Sequence, residues 1–281
     1  MLSEQEVIGL QADKNGLVFT DSFASLEEYS QFLIHKKAYE EAAKYAQGLR
    51  VLDLGCNTGY GTQILAQTAR SAIGVDVSPR AIAEAKRLYP GLDLQVVDGR
   101  ALPFPDRSFD MVVSFHVIEH IAEPERYLHE IKRVLVKDGI LLLTTPNAAL
   151  RLPGDMQPWN PFHVREYRAE ELQKLLERHF SKTEIMGLFA EEPLHSVEVE
   201  RIRRRIKQAK RRQSAWHRFS AKLKRRLGFA GNTGKSIESR KSRKHKSTLS
   251  EEDLRQYTTV LYSYRFEDLG QALDLMAVCR E

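Results

Sequence analysis

Cysteine is scarce in this chain of 281 residues: there are two, Cys56 and Cys279. Neither sits in the spacing of a zinc site or a redox pair, which excludes a disulfide scaffold and a cysteine-built metal centre. Both read as small buried residues. Long apolar runs are missing as well. The longest are only strand-length, so no segment has the extent of a membrane-spanning helix. Met1 to Gly16 is polar and acidic and carries no signal-peptide core. The expected localisation is cytoplasmic. Acidic residues are absent from one long stretch, Arg201 to Ile237. Between Arg201 and Lys246 stand 19 Lys and Arg against the single acid Glu238, which leaves 24 basic and 37 acidic residues elsewhere. The net charge of +5 therefore hides an acidic body carrying one very basic segment.

What is present is a regular alternation of short apolar runs and amphipathic stretches. Leu26, Tyr29, Phe32, Leu33, Ala38, Ala42, Ala43 and Tyr45 recur at helical spacing between Ser25 and Gln47, and Gly48 stops the pattern. Strands are expected at 49–54, 72–76, 92–97, 109–115, 139–145 and 182–189, with a last one at 272–279. Helices are expected at 59–69, 79–88, 123–136 and 168–179. Such alternation predicts an α/β fold, a mostly parallel sheet with helices on both faces. Residues 1–22 read as an arm with a short strand at Leu17-Val18-Phe19.

Four motifs follow one another in order. Val51-Leu52-Asp53-Leu54-Gly55-Cys56-Asn57-Thr58-Gly59-Tyr60-Gly61 is a strand running into a glycine turn and a helix, where the backbone can approach a nucleotide-like ligand. Then come Gly74-Val75-Asp76-Val77-Ser78, Val96-Val97-Asp98-Gly99 and Phe109-Asp110-Met111-Val112-Val113-Ser114. With these four the chain resembles the class I S-adenosylmethionine-dependent methyltransferases over about residues 35–190 and again at 272–280. The resemblance implies a Rossmann-like sheet of seven strands, the last antiparallel and inserted between strands five and six. It divides the chain into an N-terminal arm and helical cap (1–47), a cofactor-binding core (48–190 plus 271–281) and a basic helical insertion before the last strand (191–270).

The same resemblance implies S-adenosylmethionine as methyl donor. Asp53 is matched to the methionine ammonium, Gly55 and Gly59 to close backbone approach, and Asp76 with Val77 to the ribose. Asp98 and Gly99 fall at the adenine, and Ser114 on the strand beside them. Asn57 stands where the family loop has glycine. Asparagine tolerates left-handed backbone best among the other residues, so the loop is expected to bind. A degenerate loop would instead leave a non-catalytic cofactor-binding protein.

His116-Val117-Ile118-Glu119-His120 ends the fourth strand and is similar to a Val/Ile-Glu-His signature of several O-methyltransferase groups. Methyl transfer to a hydroxyl needs alignment and removal of a proton, and a histidine suits that task. The catalytic candidates are His116, Glu119, His120 and His163, the last within Asn160-Pro161-Phe162-His163-Val164-Arg165-Glu166-Tyr167. Acid/base or positioning work is the leading reading. Similarity to ubiquinone-pathway O-methyltransferases and to the enzymes that 2′-O-methylate small RNAs raises the alternative of a divalent ion on Glu119, His120 and His163. A purely structural role is the third reading.

In the basic segment Ile202, Ile206, Ala209, Trp216, Phe219, Leu223 and Leu227 form one apolar stripe with Lys and Arg nearly everywhere else. Three readings stand: an anionic membrane surface met through 201–229, RNA phosphates, or packing on the enzyme's own acidic body. Residues 231–247 read as a linker. The expected activity is methylation of a hydroxyl on a sugar or lipid-linked glycan, with an RNA 2′-hydroxyl as the second acceptor.

Overall fold

The computed structural model describes residues 23–226 and 250–281, with side chains left aside at 212–226 and at 251. The expected strand at Leu17–Phe19, the linker 231–247, and the part of the apolar stripe at Trp216, Phe219, Leu223 and Leu227 lie outside the described residues and side chains.

Helix α1 (Leu26–Ala43) starts at Ser25, whose hydroxyl accepts the Glu28 amide, and Glu27 and Glu28 oppose the positive helix start. Strand β1 (Arg50–Leu54) enters the glycine turn, and helix α2 (Tyr60–Ala66) leaves it. Strand β2 (Ser71–Asp76) precedes helix α3 (Pro79–Leu88), which has the Ser78 cap and proline at its first position. Strands β3 (Asp93–Val96) and β4 (Phe109–Phe115) follow, then a single 3-10 turn at Ile118–His120. Helix α4 (Pro124–Val134) leads into strand β5 (Leu135–Pro146). After these come helices α5 (Ala148–Arg151) and α6 (Ala169–Leu176), strand β6 (Lys182–Ala190) and the long helix α7 (Leu194–Arg226). Helix α8 (Glu251–Leu254), strand β7 (Tyr262–Arg265) and strand β8 (Asp274–Arg280) close the chain.

The sheet has the order β3-β2-β1-β4-β5-β8-β6-β7. Strands β3 to β5 pair in parallel, and β8 runs antiparallel between β5 and β6. The expectation of seven strands is corrected to eight. Strand β7 lies inside the segment read as helix and linker, and pairs antiparallel with β6 from Gly187↔Arg265 to Ala190↔Tyr262. Four residues, Tyr-Ser-Tyr-Arg, are too short to show a period.

Alternate residues of the central strands face opposite layers. Leu52, Leu54, Val112, Leu141 and Leu143 join Leu128 and Ile131 of α4 and Leu172 and Leu176 of α6. Val51, Met111, Val113 and Leu142 join Ala38, Tyr39 and Ala42 of α1 and Leu65 of α2. Both faces are covered, so these strands read as near-continuous apolar runs. The strand order reverses between β1 and β4. In open sheets of this kind ligands bind beyond the strand ends at that reversal, and there the chain places Gly55–Gly59 and His116–His120 side by side.

Candidate functional site

The glycine turn is held by its own strand ends. Gly55 and Cys56 amides donate to the Val75 carbonyl at 2.8 and 3.0 Å. Asp76, at the end of β2, accepts the Asn57 amide (2.9 Å) and the Ser78 amide (2.8 Å), so one carboxylate fixes the loop and the start of α3. Asn57 has φ +47°, and Gly55 and Gly59 have φ +88° and +78°. Asparagine therefore occupies the left-handed conformation that its residue type tolerates. A Cβ on Gly55 would stand 2.5 Å from Val117 Cγ2, so the glycine turn packs directly against the segment after β4.

Asp53 is fully buried. Its carboxyl accepts the Tyr39 hydroxyl at 3.0 Å and the Thr62 hydroxyl at 2.6 Å. Burial pushes it up to about 7, against the pull of those two bonds. Asp98 is exposed and accepts the Arg100 and Ala101 amides at 2.8 and 3.2 Å, next to Gly99 at φ +74°. Val77 is half-buried between Asp76 and Ser78. Ser114 is fully buried, and its hydroxyl pairs with that of Tyr127 at 2.7 Å.

The second half of the site is a chain of imidazoles and carboxylates. His116, in left-handed backbone at φ +54°, pairs through Nε2 with Asp274 at 3.0 Å. Its Nδ1 approaches Glu119 Oε1 at 3.4 Å, and its ring stacks on His35 at 4.1 Å. Burial disfavours the His116 cation, but Asp274 and Glu119 outweigh it and hold the ring up at about 10. Glu119, fully buried, is held down at about 2 because His116 overcomes the burial that opposes its charge. Burial and the facing His116 push His35 down to about 3, a neutral ring.

Thr145 donates to Glu119 Oε2 at 3.0 Å, while Oε1 is buried with no hydrogen-bond partner. The Glu119 carbonyl accepts the Val164 and Arg165 amides at 2.8 and 3.2 Å, which brings the loop before α6 over the 3-10 turn. His120 Nδ1 donates to the Phe162 carbonyl at 2.9 Å, and burial lowers the ring's pKa, so it is neutral with its lone pair on Nε2. His163 Nδ1 pairs with Glu166 at 2.7 Å. Glu166 is also gripped by both the Nε and the Nη2 of Arg151, at 2.7 and 2.9 Å. Burial opposes the Glu166 charge, but His163 and Arg151 hold its carboxyl below the usual range. The His120 and His163 rings meet edge to face at 4.9 Å. One donor atom from each of Glu119, His120 and His163 lies within 4.8 Å of the other two.

The fold thus brings His116, Glu119, His120 and His163 together, beside the loop carrying Gly55, Asn57 and Gly59. Five partners were not singled out from sequence: Tyr39, His35, Arg151, Glu166 and Asp274. Glu166 and Arg151 lie near His163 in the chain and could have been paired by charge. Asp274 reaches His116 because β8 runs antiparallel beside β5, pairing Asp274 with Pro146.

The chain is similar to known methyltransferases in sequence and in fold. Residues 52–143 match the family described as a methyltransferase domain. A probable S-adenosylmethionine-dependent methyltransferase of Mycolicibacterium smegmatis is 39% identical over 164 residues, 58% of this chain and 64% of that protein. A ubiquinone biosynthesis O-methyltransferase of Rhizobium etli is 27% identical over 151 residues, 48% of this chain and 61% of that protein. The chain thus spans less than two thirds of the length of these curated relatives. The fold matches a solved S-adenosylmethionine-dependent methyltransferase of Archaeoglobus fulgidus with a TM-score of 0.54 and 17% identity, over 88% of this chain and 93% of that one.

Proposed function

We propose that this chain, which carries a class I methyltransferase domain, transfers a methyl group from S-adenosylmethionine to a hydroxyl of a sugar or lipid-linked glycan. The observation that supports an oxygen acceptor is the pair His120 and His163, each with Nδ1 committed to a fixed acceptor. Such anchoring fixes the orientation of both rings, and in the neutral His120 it leaves the lone pair on Nε2. In the transfer the acceptor oxygen bonds to the methyl carbon as the carbon–sulfur bond breaks. S-adenosylhomocysteine leaves with the electron pair on sulfur, and the hydroxyl proton passes to an imidazole nitrogen. His116 is a positioning residue: a cation between Asp274 and Glu119 that keeps both carboxylates buried.

The same residues fit a divalent ion. Glu119 Oε1 is buried and meets only His116 Nδ1 at 3.4 Å, and a carboxylate with two imidazoles, each held through its Nδ1, is a donor set for Zn, Mn or Fe rather than Mg. Bound there, such an ion would lower the pKa of an acceptor hydroxyl. Glu119, His120 and His163 would hold it.

The test is transfer of labelled methyl from S-adenosylmethionine to lipid, glycan and RNA fractions. Wild type is expected to label a glycan- or lipid-bearing fraction, and His163→Ala to lower the rate on the order of a hundredfold. Label confined to the RNA fraction would favour the ribose 2′-hydroxyl instead. No label in any fraction would sink the proposal. Inhibition by a chelator, reversed by added Mn or Zn, would assign the ion.

A further inference from the structure

Helix α7 does two things with its surface. Leu194, Glu198 and Ile202 are buried against the body. Glu198 accepts the Ser30 hydroxyl and the Gln31 amide, both at 2.7 Å, and pairs with Arg201 at 2.8 Å, while Arg204 pairs with Glu27. The first turns of the basic segment are thus fixed on α1. Between Arg203 and Arg211 the exposed positions are Arg203, Arg204, Arg205, Lys207, Gln208, Lys210 and Arg211, all cationic but one.

One member of this row, Arg203, lines a cavity of about 220 Å³ between α5, α7 and the turn before β8. Its walls are Leu150, Val199, Ile202 and Ile206, and its polar lining is His195, Arg203 and Gln271. Among the described residues Arg203 has no carboxylate partner, unlike its neighbours Arg201 and Arg204. The cavity also shares α5 with the transfer site. Leu150 lines it, and the next residue, Arg151, holds the Glu166 that anchors His163. Asn147, the cap of α5, donates to the Leu269 and Ala272 carbonyls at 2.7 and 2.8 Å and so fixes the turn carrying Gln271.

We propose that this cavity is the tail-binding part of the acceptor site and takes an amphiphile, a hydrocarbon chain bearing a phosphate. The chain lies among Leu150, Val199, Ile202 and Ile206, and the phosphate meets Arg203. This rests on the reading of the chain as a methyltransferase with a lipid-linked acceptor. A pocket walled by four aliphatic side chains and an arginine with no carboxylate partner among the described residues suits such a ligand. Cations alone would serve RNA, which needs no apolar chamber for its phosphates.

Calorimetric titration of the full chain with decyl phosphate below its micelle concentration tests the assignment. Octyl glucoside supplies a chain without charge, and inorganic phosphate supplies charge without a chain. Decyl phosphate is expected to bind at least tenfold tighter than either. Arg203→Glu, at an exposed position, should weaken it on the order of tenfold, and Val199→Trp, which fills the chamber, should abolish it. Equal binding by wild type and Arg203→Glu would overturn the proposal, as would inorganic phosphate or a short single-stranded RNA binding as tightly as decyl phosphate. Titration of the same samples with S-adenosylmethionine separates the two readings. Donor binding without decyl phosphate binding defeats the tail site alone. Absence of donor binding defeats the methyltransferase reading and leaves the decyl phosphate result to stand on its own.

Discussion

At the scale of single residues, Gly55 has no space for a side chain. A Cβ there would stand 2.5 Å from Val117 Cγ2, on a backbone at φ +88°. One at Gly61 would overlap the Tyr39 ring. Gly55→Ala is therefore expected to cost about 1–3 kcal/mol through strain and overpacking, and to weaken S-adenosylmethionine binding at least tenfold because Val117 must move. Thermal unfolding with parallel titration checks this; an unchanged melting temperature would contradict the packing described. The glycines, Asn57 and the three strand-end aspartates were legible in sequence because backbone sterics and strand-end chemistry restrict those residue types. Tyr39 on Asp53 and Asp274 on His116 were not, since each comes from a separate element, 14 and 158 residues away. The surroundings of Asp53 show what that conceals. Its place at the end of β1 was evident, but the burial that raises it to about 7 was not, nor were the Tyr39 and Thr62 bonds that oppose the rise.

Among the elements, α1 and α7 form the contact least visible in sequence. The apolar spacing of both helices was clear, and Ile202, the first residue of the α7 stripe, is buried. The buried polar clamp is a different matter. Ser30 pairs with both Glu198 and the Tyr262 hydroxyl at 2.7 Å, tying α1, α7 and β7 at one point. A serine and a glutamate at helical positions give no hint that they meet. Replacing Glu198 strands Arg201, unpairs Gln31 and leaves Ser30 with Tyr262 alone, so Glu198→Ala is expected to destabilise the chain by about 3 kcal/mol. Urea unfolding measures it, and a loss below ~0.5 kcal/mol, the scale of an exposed ion pair, would contradict a clamp. The first part of α7 thus favours packing on the body for its apolar stripe, while its exposed face keeps its cations. Strand β7 escaped notice for a reason of length: four residues pair only with β6, at the sheet edge.

For the molecule as a whole, the sheet order carries the function. Alternating helices and strands announced a parallel sheet. The reversal between β1 and β4, which sets the glycine loop against the histidine cluster, was available through family resemblance rather than from periodicity. Among the described residues no helix is long and apolar enough to cross a membrane. All of this depends on the loop at Gly55–Gly59 being a cofactor site held open by Asp76. Calorimetric titration of wild type and Asp76→Ala with S-adenosylmethionine and S-adenosylhomocysteine tests that most directly. The expected result is micromolar binding of both ligands by wild type, lost in the variant, which also loses the bonds to Asn57 and Ser78. No binding by folded wild type would contradict the account.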